Sequence, residues 1–401
     1  MHPTAEASLT SLPNTEFSAG REEISVSVLT SEIDFDALRE EWDELLSASK
    51  QCVYFLRWSW NRLWWQTYAP PHSKLLLITC RDRQHRLVGL APLYWRQQKT
   101  AGIPHIREIY FLGTGTEIKT SEYLDFFARP GYEQAVAQLI ATTLTEDHTW
   151  DYLYLWGVPT QSTLMPHFHR ALGNRAVTEI CDHNSYVDTS GDWEMVRQGM
   201  GKTLRTNIDR YARRFLKDKE FEFRLATTTS EVEAAMEELI RLHQARWEFK
   251  GKPGSFTLPR FEEFLRQIGR IALTENRLRL WTLTVNGQEI AALIAFLDNG
   301  IAHYFQGGFD PAFAKDHLGS IMLKFCIEQC IEADNITEFD FMGGGAAYKK
   351  HWTGLSRDML ELRLMRNNLH SLPFQTYRWA RKRGGQLKRK LRSYWQKQPP
   401  A

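Results

Sequence analysis

Residues 278–325 read LRLWTLTVNGQEIAALIAFLDNGIAHYFQGGFDPAFAKDHLGSIMLKF, and the order of patterns in this stretch decides the fold. LRLWTLTV and EIAALIAFL are apolar runs on either side of the turn residues NGQ, which predicts a β-hairpin. IAHYFQGGF predicts a third strand. Ile321, Phe325 and Cys326 at helical spacing place a helix from about Leu318 through GSIMLKFCIEQCIEA. Two further strands, EFDFMG and MLELRLM, close the unit. Upstream of the hairpin, FEFRLA reads as a strand, EVEAAMEELIRLHQARWEF as a long helix, and the stretch from about Leu258 to Ile271 as a second helix.

The first half of the chain repeats this order. ISVSVLT (24–30) reads as a strand, and DFDALREEWDELLSAS places Phe35, Leu38, Trp42, Leu45 and Leu46 at helical spacing. The aromatic helix WSWNRLWWQTY leads into KLLLITCR and LVGLAPLYWR, a hairpin around DRQHR. EIYFLG, the segment EYLDFFARPG, the helix YEQAVAQLIATTL and the strand WDYLYLWGV follow. A repeated order of elements points to an internal duplication. The expected class is α/β (α+β), with tandem domains that are each a mixed, mostly antiparallel sheet flanked by helices. The expected boundaries are a disordered leader at 1–22, domains at 23–190 and 191–368, and a basic tail at 369–401.

At 401 residues, 43% apolar and 24% charged, the chain can bury sizeable cores and is not of disordered composition. No window has the apolar length of a membrane span, and the first twenty residues lack the basic start and apolar stretch of a cleaved leader. Cys52, Cys80, Cys181, Cys326 and Cys330 are scattered and odd in number, which suits a reducing compartment, and Cys326 and Cys330, on one helix face, read as buried apolar thiols. No zinc-type spacing accompanies Cys326 and Cys330, so no metal is expected. The net charge of +2 is uneven, because no acid follows Glu361 while eleven Lys and Arg do. The tail TYRWARKRGGQLKRKLRSYWQK suits either an anionic lipid surface or a solvated tail. The expected place is the cytoplasm, with peripheral attachment to the inner face of the membrane as an option.

Three motifs carry chemistry, and a fourth does not. GMGKT (199–203) resembles the end of a phosphate-binding loop, but Val196 stands where that loop needs glycine and DWEMVRQ reads as helix. The next segment, LRTNIDRYARRFLK, is a basic helix with Arg205, Arg210, Arg213, Arg214 and Lys217, either a phosphate contact or a solvated face. In YFQGGFDPAFAKDHLGS a strand meets a helix start, where free amides could hold a pyrophosphate, Gly319 would admit it and Ser320 add a hydroxyl. The bland alternative is an ordinary corner with Gly307 and Gly308 as a bulge. In FDFMGGGAAYKKHWTG (339–354) a buried strand ends in three glycines and then offers Tyr348 and Lys349. Asp340 between two Phe must be bonded, paired or protonated, as a structural group or as a base. Lys349 could neutralise charge developing at a carbonyl or phosphate.

Taken with Trp58, the WW at 64–65, LVGLAPLY, EYLDFF, WDYLYL, LHQARW and HLGS, these motifs resemble the CelD/BcsL-type acetyltransferase family of the GNAT superfamily over roughly residues 24–365. That family is linked with bacterial envelope polysaccharide synthesis and is similar to the Fem-type aminoacyl transferases, which carry two tandem GNAT-like domains. The resemblance implies that Tyr304, Gln306, Gly307 and Gly308 line a strand splay and that His317, Leu318, Gly319 and Ser320 hold the donor's pyrophosphate. The segment 315–320 has one glycine where the usual GNAT loop has two. Tyr348-Lys349 matches the aromatic-Lys pair that supports acyl transfer in Fem-type enzymes.

The expected function is transfer of an acetyl or other acyl group from acetyl-CoA to an amine or hydroxyl of an envelope polysaccharide or related precursor, without an acyl-enzyme. Lys349 would carry the charge, and Asp340, Tyr348 or His243 would handle the proton. The acceptor is expected between the halves, where pockets are favoured, and the resemblance implies that Arg205, Asn207 and Trp247 from the second half, with Tyr123 and Asp125 from the first, face it. The rivals are a Fem-type transferase using aminoacyl-tRNA and a non-catalytic membrane-associated scaffold. They differ in salt-sensitive tRNA binding on one side and tail-dependent liposome binding on the other.

Overall fold

The computed structural model describes residues 17–19, 22–100, 103–116, 118–333, 336–344 and 346–366. The expected basic tail at 369–401 and most of the expected leader lie outside the described residues. Within that leader, however, Phe17–Ala19 is a short strand that pairs with Glu22–Ile24.

The first half runs β1 (Phe17–Ala19), β2 (Glu22–Leu29), α1 (Glu32–Ala37), α2 (Arg39–Ala48), α3 (Trp58–Tyr68), β3 (Ser73–Arg81), β4 (Leu87–Thr100), β5 (Ile103–Phe111), β6 (Phe127–Ala128), α4 (Glu133–Glu146), β7 (Tyr152–Pro159), α5 (Met165–Leu172) and β8 (Ala176–Asp188). The second half runs α6 (Trp193–Gly199), α7 (Lys202–Leu216), β9 (Phe221–Leu225), α8 (Thr229–Phe249), α9 (Phe261–Thr274), β10 (Leu278–Val285), β11 (Gln288–Asp298), β12 (Ile301–Phe309), α10 (Leu318–Glu332), β13 (Glu338–Asp340), α11 (Lys349–Trp352) and β14 (Ser356–Met365). The hairpin of β10 and β11 turns at Asn286, whose φ of 50° is the left-handed conformation such turns require. Thr228 and Glu231 form a capping box at the start of α8, the helix that later supplies the site.

All the strands join one mixed sheet in the order β1-β2-β3-β4-β5-β7-β14-β8-β13-β12-β11-β10-β9, with β6 on β4. Most pairs are antiparallel, while β5 with β7 and β12 with β13 are parallel. The order reveals an exchange of last strands. β14, which ends the second half, lies against β7 of the first half, and β8, which ends the first half, lies against β13 of the second. The two exchanged strands then pair with each other.

Helices from both halves share a core. Trp60 of α3 stands edge-on to Phe264, Phe296 and Phe305 of the second half, with ring centroids 5.2, 5.3 and 5.6 Å away. Tyr54 stacks on Phe296 at 5.1 Å. Beside them the buried Arg57 guanidinium makes two bonds to Asp298, Nε to Oδ2 at 2.6 Å and Nη2 to Oδ1 at 2.9 Å, while Arg277 Nη1 adds a third at 2.7 Å. A carboxylate this deep needs such compensation, and these two guanidinium groups hold Asp298 below the usual carboxylate range against the opposing push of burial.

Candidate active site

The parallel contact of β12 with β13 is only three residues long, from Ile301–Glu338 to His303–Asp340. Beyond it the strands part. On β12, Phe305 is an extra residue against β11, because Ala295 pairs with Tyr304 and Ile294 with Gln306. On the other side Asp340 Oδ1 accepts from Met342 N at 2.5 Å, and Met342 takes a left-handed φ of 60°. The glycines after it have separate reasons. A Cβ on Gly343 would lie 2.8 Å from Asp182 and 2.9 Å from Glu122, and Gly344 has a φ of 92°. Between the parted strands lies a cavity of about 500 Å³, bounded by Tyr304 to Gly307 on β12, Phe341 to Gly344 after β13, α8, and the loop that carries Lys119 to Glu122.

Two charged groups from opposite halves face this space. Lys349, at the start of α11, donates from Nζ to Met342 O at 2.8 Å and Gly343 O at 2.6 Å, which leaves its third N–H for another acceptor. Burial pushes its pKa down, while Glu122, Asp340 and Asp182 work in the opposite sense. Glu122 accepts at Oε2 from Gly343 N (2.7 Å) and Asn184 Nδ2 (2.9 Å), and its Oε1 makes no hydrogen bond among the described residues. Burial raises its pKa. An anchored carboxylate and an anchored ammonium in one cavity can move a proton and stabilise a developing negative charge.

Of the residues expected from sequence, Tyr348, Lys349, Trp247, Tyr304, Gln306 and Gly307 line this cavity. Burial raises the pKa of both Tyr304 and Tyr348. Asp340 and Tyr123 meet, but behind the cavity wall. The Tyr123 hydroxyl donates to Asp340 Oδ2, Arg357 Nη1 approaches the same oxygen at 3.4 Å, and burial pushes the Asp340 pKa up to about 7. Both oxygens are thereby engaged, which gives Asp340 a structural place. Asp125 is also buried, accepting from Phe126 N at 2.8 Å, with a pKa raised by burial to about 8. His243 is buried and does not line the cavity; it stands edge-on to Phe256 at 4.9 Å, and burial pushes its pKa down to about 4.

The remaining expected residues lie elsewhere. Gly308 is pressed on α8, where a Cβ would lie 2.2 Å from His243 N. His317 takes a left-handed φ of 62° and stacks on Tyr211 with centroids 3.9 Å apart. Ser320 N and Ile321 N donate to His317 O at 2.9 and 3.1 Å, Leu318 is buried, and a Cβ on Gly319 would meet the Phe309 ring at 3.1 Å. The amides of Leu318 and Gly319 have no partner among the described residues. This helix start is thus separated from the cavity by Phe309, over whose ring Arg246 sits at 4.7 Å. Arg205 is exposed on α7, and Asn207 Nδ2 bonds Thr203 O of its own helix at 2.9 Å.

Glu122, Lys119, Arg246 and Lys250 were not singled out by sequence reasoning. Arg246 and Lys250 were within reach, since positions 243, 246, 247 and 250 share one helix face with the noted His243 and Trp247. Glu122 was hidden by its neighbour, because Tyr123 has a left-handed φ of 58° that no local pattern announces.

Residues 202–350 match the family described as acetyltransferase (GNAT) domain. In overall structure the chain is similar to FemX, at a TM-score of 0.58 and 11% identity over 82% of this chain and 96% of that one. It is also similar to a conserved protein of unknown function from Bacteroides thetaiotaomicron, at 0.53 and 12% over 85% and 100% of the two chains. A third similar structure is the C-terminal domain of an Agrobacterium fabrum protein described as a lysylphosphatidylglycerol synthetase, at 0.50 and 11% over 85% and 95%. At such identities the likeness is one of fold. No curated protein matches the chain in sequence. Among the described residues no helix is long and apolar enough to cross a membrane, and no group of three or more His, Cys, Asp or Glu could hold a metal. The chain carries a GNAT acetyltransferase domain in its second half and is, by that domain, an acyltransferase.

Proposed function

We propose that the cavity between β12 and β13 is where an acyl group, acetyl from acetyl-CoA, passes directly to an amine or hydroxyl of an envelope polysaccharide or related precursor. The observation that carries this reading is the pairing of Glu122 and Lys349 across one cavity, each fixed by two hydrogen bonds. The site fits a thioester donor in two respects. The parted strands leave room beside the β12 bulge, and the two unpartnered amides at the start of α10 suit a phosphate group.

In this reading Glu122 Oε1 takes the proton of the acceptor as its nitrogen or oxygen bonds to the acyl carbon. Lys349 donates its third N–H to the carbonyl oxygen as that atom becomes negative, and the low polarity that depresses its pKa strengthens the bond. When the carbon–sulfur bond breaks, Tyr348 supplies a proton to the departing thiolate and is reprotonated from solvent, to which Glu122 gives up the proton it took. No side chain forms a bond to the acyl group. Rapid quench with radiolabelled acetyl-CoA should therefore recover no acylated protein, and a kinetically competent acyl-protein would overturn the direct route.

A second reading, in which the donor is an aminoacyl-tRNA, is favoured by one observation. Arg205, Arg210, Arg213 and Arg214 are exposed on α7 with no ion pair among the described residues, while Asp209 of the same helix is held by Arg197 and Lys324 at 3.5 Å each. Charged tRNA bound there should weaken steeply with salt, and a flat salt dependence removes this reading.

A further inference from the structure

The mouth of the cavity carries a set of cations that the transfer chemistry leaves unused. Lys119 reaches it from the first half, with Nζ 4.3 Å from the Trp156 ring centroid. Arg246 on α8 and Lys250, which caps the end of that helix, reach it from the second half. Arg246 lies 4.7 Å from the Phe309 centroid, with Nη1 3.4 Å from Gly307 O, and Lys250 lies 5.3 Å from the Trp247 centroid. Each cation is thus placed by an aromatic ring or a carbonyl, and none of the three has an ion pair among the described residues. They also press on one another, since after burial the causes that lower the Lys250 pKa are Arg246 and Lys252. The carboxylate that lines the same cavity, Glu122, has one oxygen committed to Asn184 and Gly343. Such an excess of one sign around a single opening attracts and orients an opposite charge.

We propose that Lys119, Arg246 and Lys250 form a subsite for a phosphate or diphosphate group on the acceptor. The inference rests on the reading of this cavity as the transfer site and adds the chemical class of the acceptor. The same phosphate chemistry could come from the donor, but geometry separates the two. The unpartnered amides of α10 lie across Phe309 from Arg246, whereas Lys119 reaches the cavity from the first half, beside Trp156. An acceptor with its phosphate between Lys119 and Lys250 has Trp247 beside it for a sugar or base to stack on. Its nucleophile then extends inward to Glu122.

The test is calorimetric titration of the full-length protein with inorganic pyrophosphate at low salt, with and without saturating coenzyme A. Lys119→Glu, Lys250→Glu and Gly319→Asp serve as variants. Lys119 and Lys250 are exposed, so their replacement leaves the fold intact. The expected result is one binding event that each Lys→Glu change weakens about tenfold or more, as loss of complementary charge does. Coenzyme A and Gly319→Asp should leave it in place. Absence of binding, displacement by coenzyme A, or wild-type affinity in Lys119→Glu each overturns the proposal. Binding needs no turnover, so a failure of the transfer-site reading would show separately, as no transfer from acetyl-CoA or as transfer that survives Glu122→Gln and Lys349→Ala.

Discussion

Gly308 separates two explanations of the glycines on β12, and its replacement by alanine gives opposite results under each. A Cβ there would stand 2.2 Å from His243 N, 2.5 Å from the Leu242 carbonyl carbon and 2.7 Å from His243 Cα. All three are backbone atoms, so no side chain can rotate away. To reach an ordinary contact of 3.4 Å, α8 must back off from β12 by about 1.2 Å, the difference between the two distances. The φ of Gly308 is not positive, so space alone demands glycine. Overpacking of this kind sits at the upper end of its usual range, about 3 kcal/mol or more. For a cooperative unit of 150–250 residues each kcal/mol moves Tm by about 2–4 °C, so Gly308→Ala should melt about 6 °C or more below wild type. Gly307→Ala is the control, because its Cβ meets only the Tyr304 side chain, at 2.5 Å, and should cost far less. Differential scanning calorimetry reads both. A Gly308→Ala protein that melts like wild type but no longer responds to donor would refute the packing argument and return Gly308 to the ligand.

Three further outcomes follow from the buried charges. Asp298→Leu leaves Arg57 and Arg277 without their shared carboxylate and should cost about 3–5 kcal/mol in denaturant unfolding, with partial recovery in the Arg57→Met/Asp298→Leu double variant. A single variant as stable as wild type would deny the pair any role between the halves. Glu122→Gln should lower kcat about 10²- to 10⁴-fold. In the proposed role Glu122 works as an anion, and burial raises its pKa, so wild-type rate should climb with pH through that pKa and the variant should lose this limb. Asp340 has a folded pKa of about 7, above its unfolded value, so its stabilising contribution is complete at low pH and declines as pH rises toward 7. The stability of Asp340→Asn relative to wild type should therefore improve between pH 5 and pH 8, and a constant difference would show that Asp340 is ionised throughout.

Local pattern carried much of the fold. The hairpin of β10 and β11, the start of α10 at Leu318 and the amphipathic α8 each follow from spacing and turn residues that act within one segment. β8 was invisible for a physical reason. AVTEICDHNSYVD is polar for a strand inside a sheet, because Asn184 serves Glu122 and Asp182 meets the Gly344 amide at 3.3 Å. The exchange of last strands left no local trace either, since pairing partners lie in different halves of the sequence. At the site, Tyr348 and Lys349 stood out because they follow a run of glycines at a strand tip, and Trp247 only through the family resemblance. Asp340 drew attention for the same reason, yet its surroundings use it to tie Tyr123 and Arg357 behind the wall. Which neighbour faces the cavity at 122–125 depends on one left-handed residue, and that choice is settled only by packing.

The traded strands also set a schedule for synthesis. When residues up to Asp188 have left the exit tunnel, β8 is free but both of its neighbours, β13 and β14, are still to come. The first half must therefore wait with β7 and β8 unpaired on their facing edges, the condition in which nascent sheets are most open to wrong partners. Only when Ser356–Met365 leaves the exit tunnel can the gap between them close. Glu122 and Lys349 come from opposite halves, so the cavity they share also waits for the second half to be made.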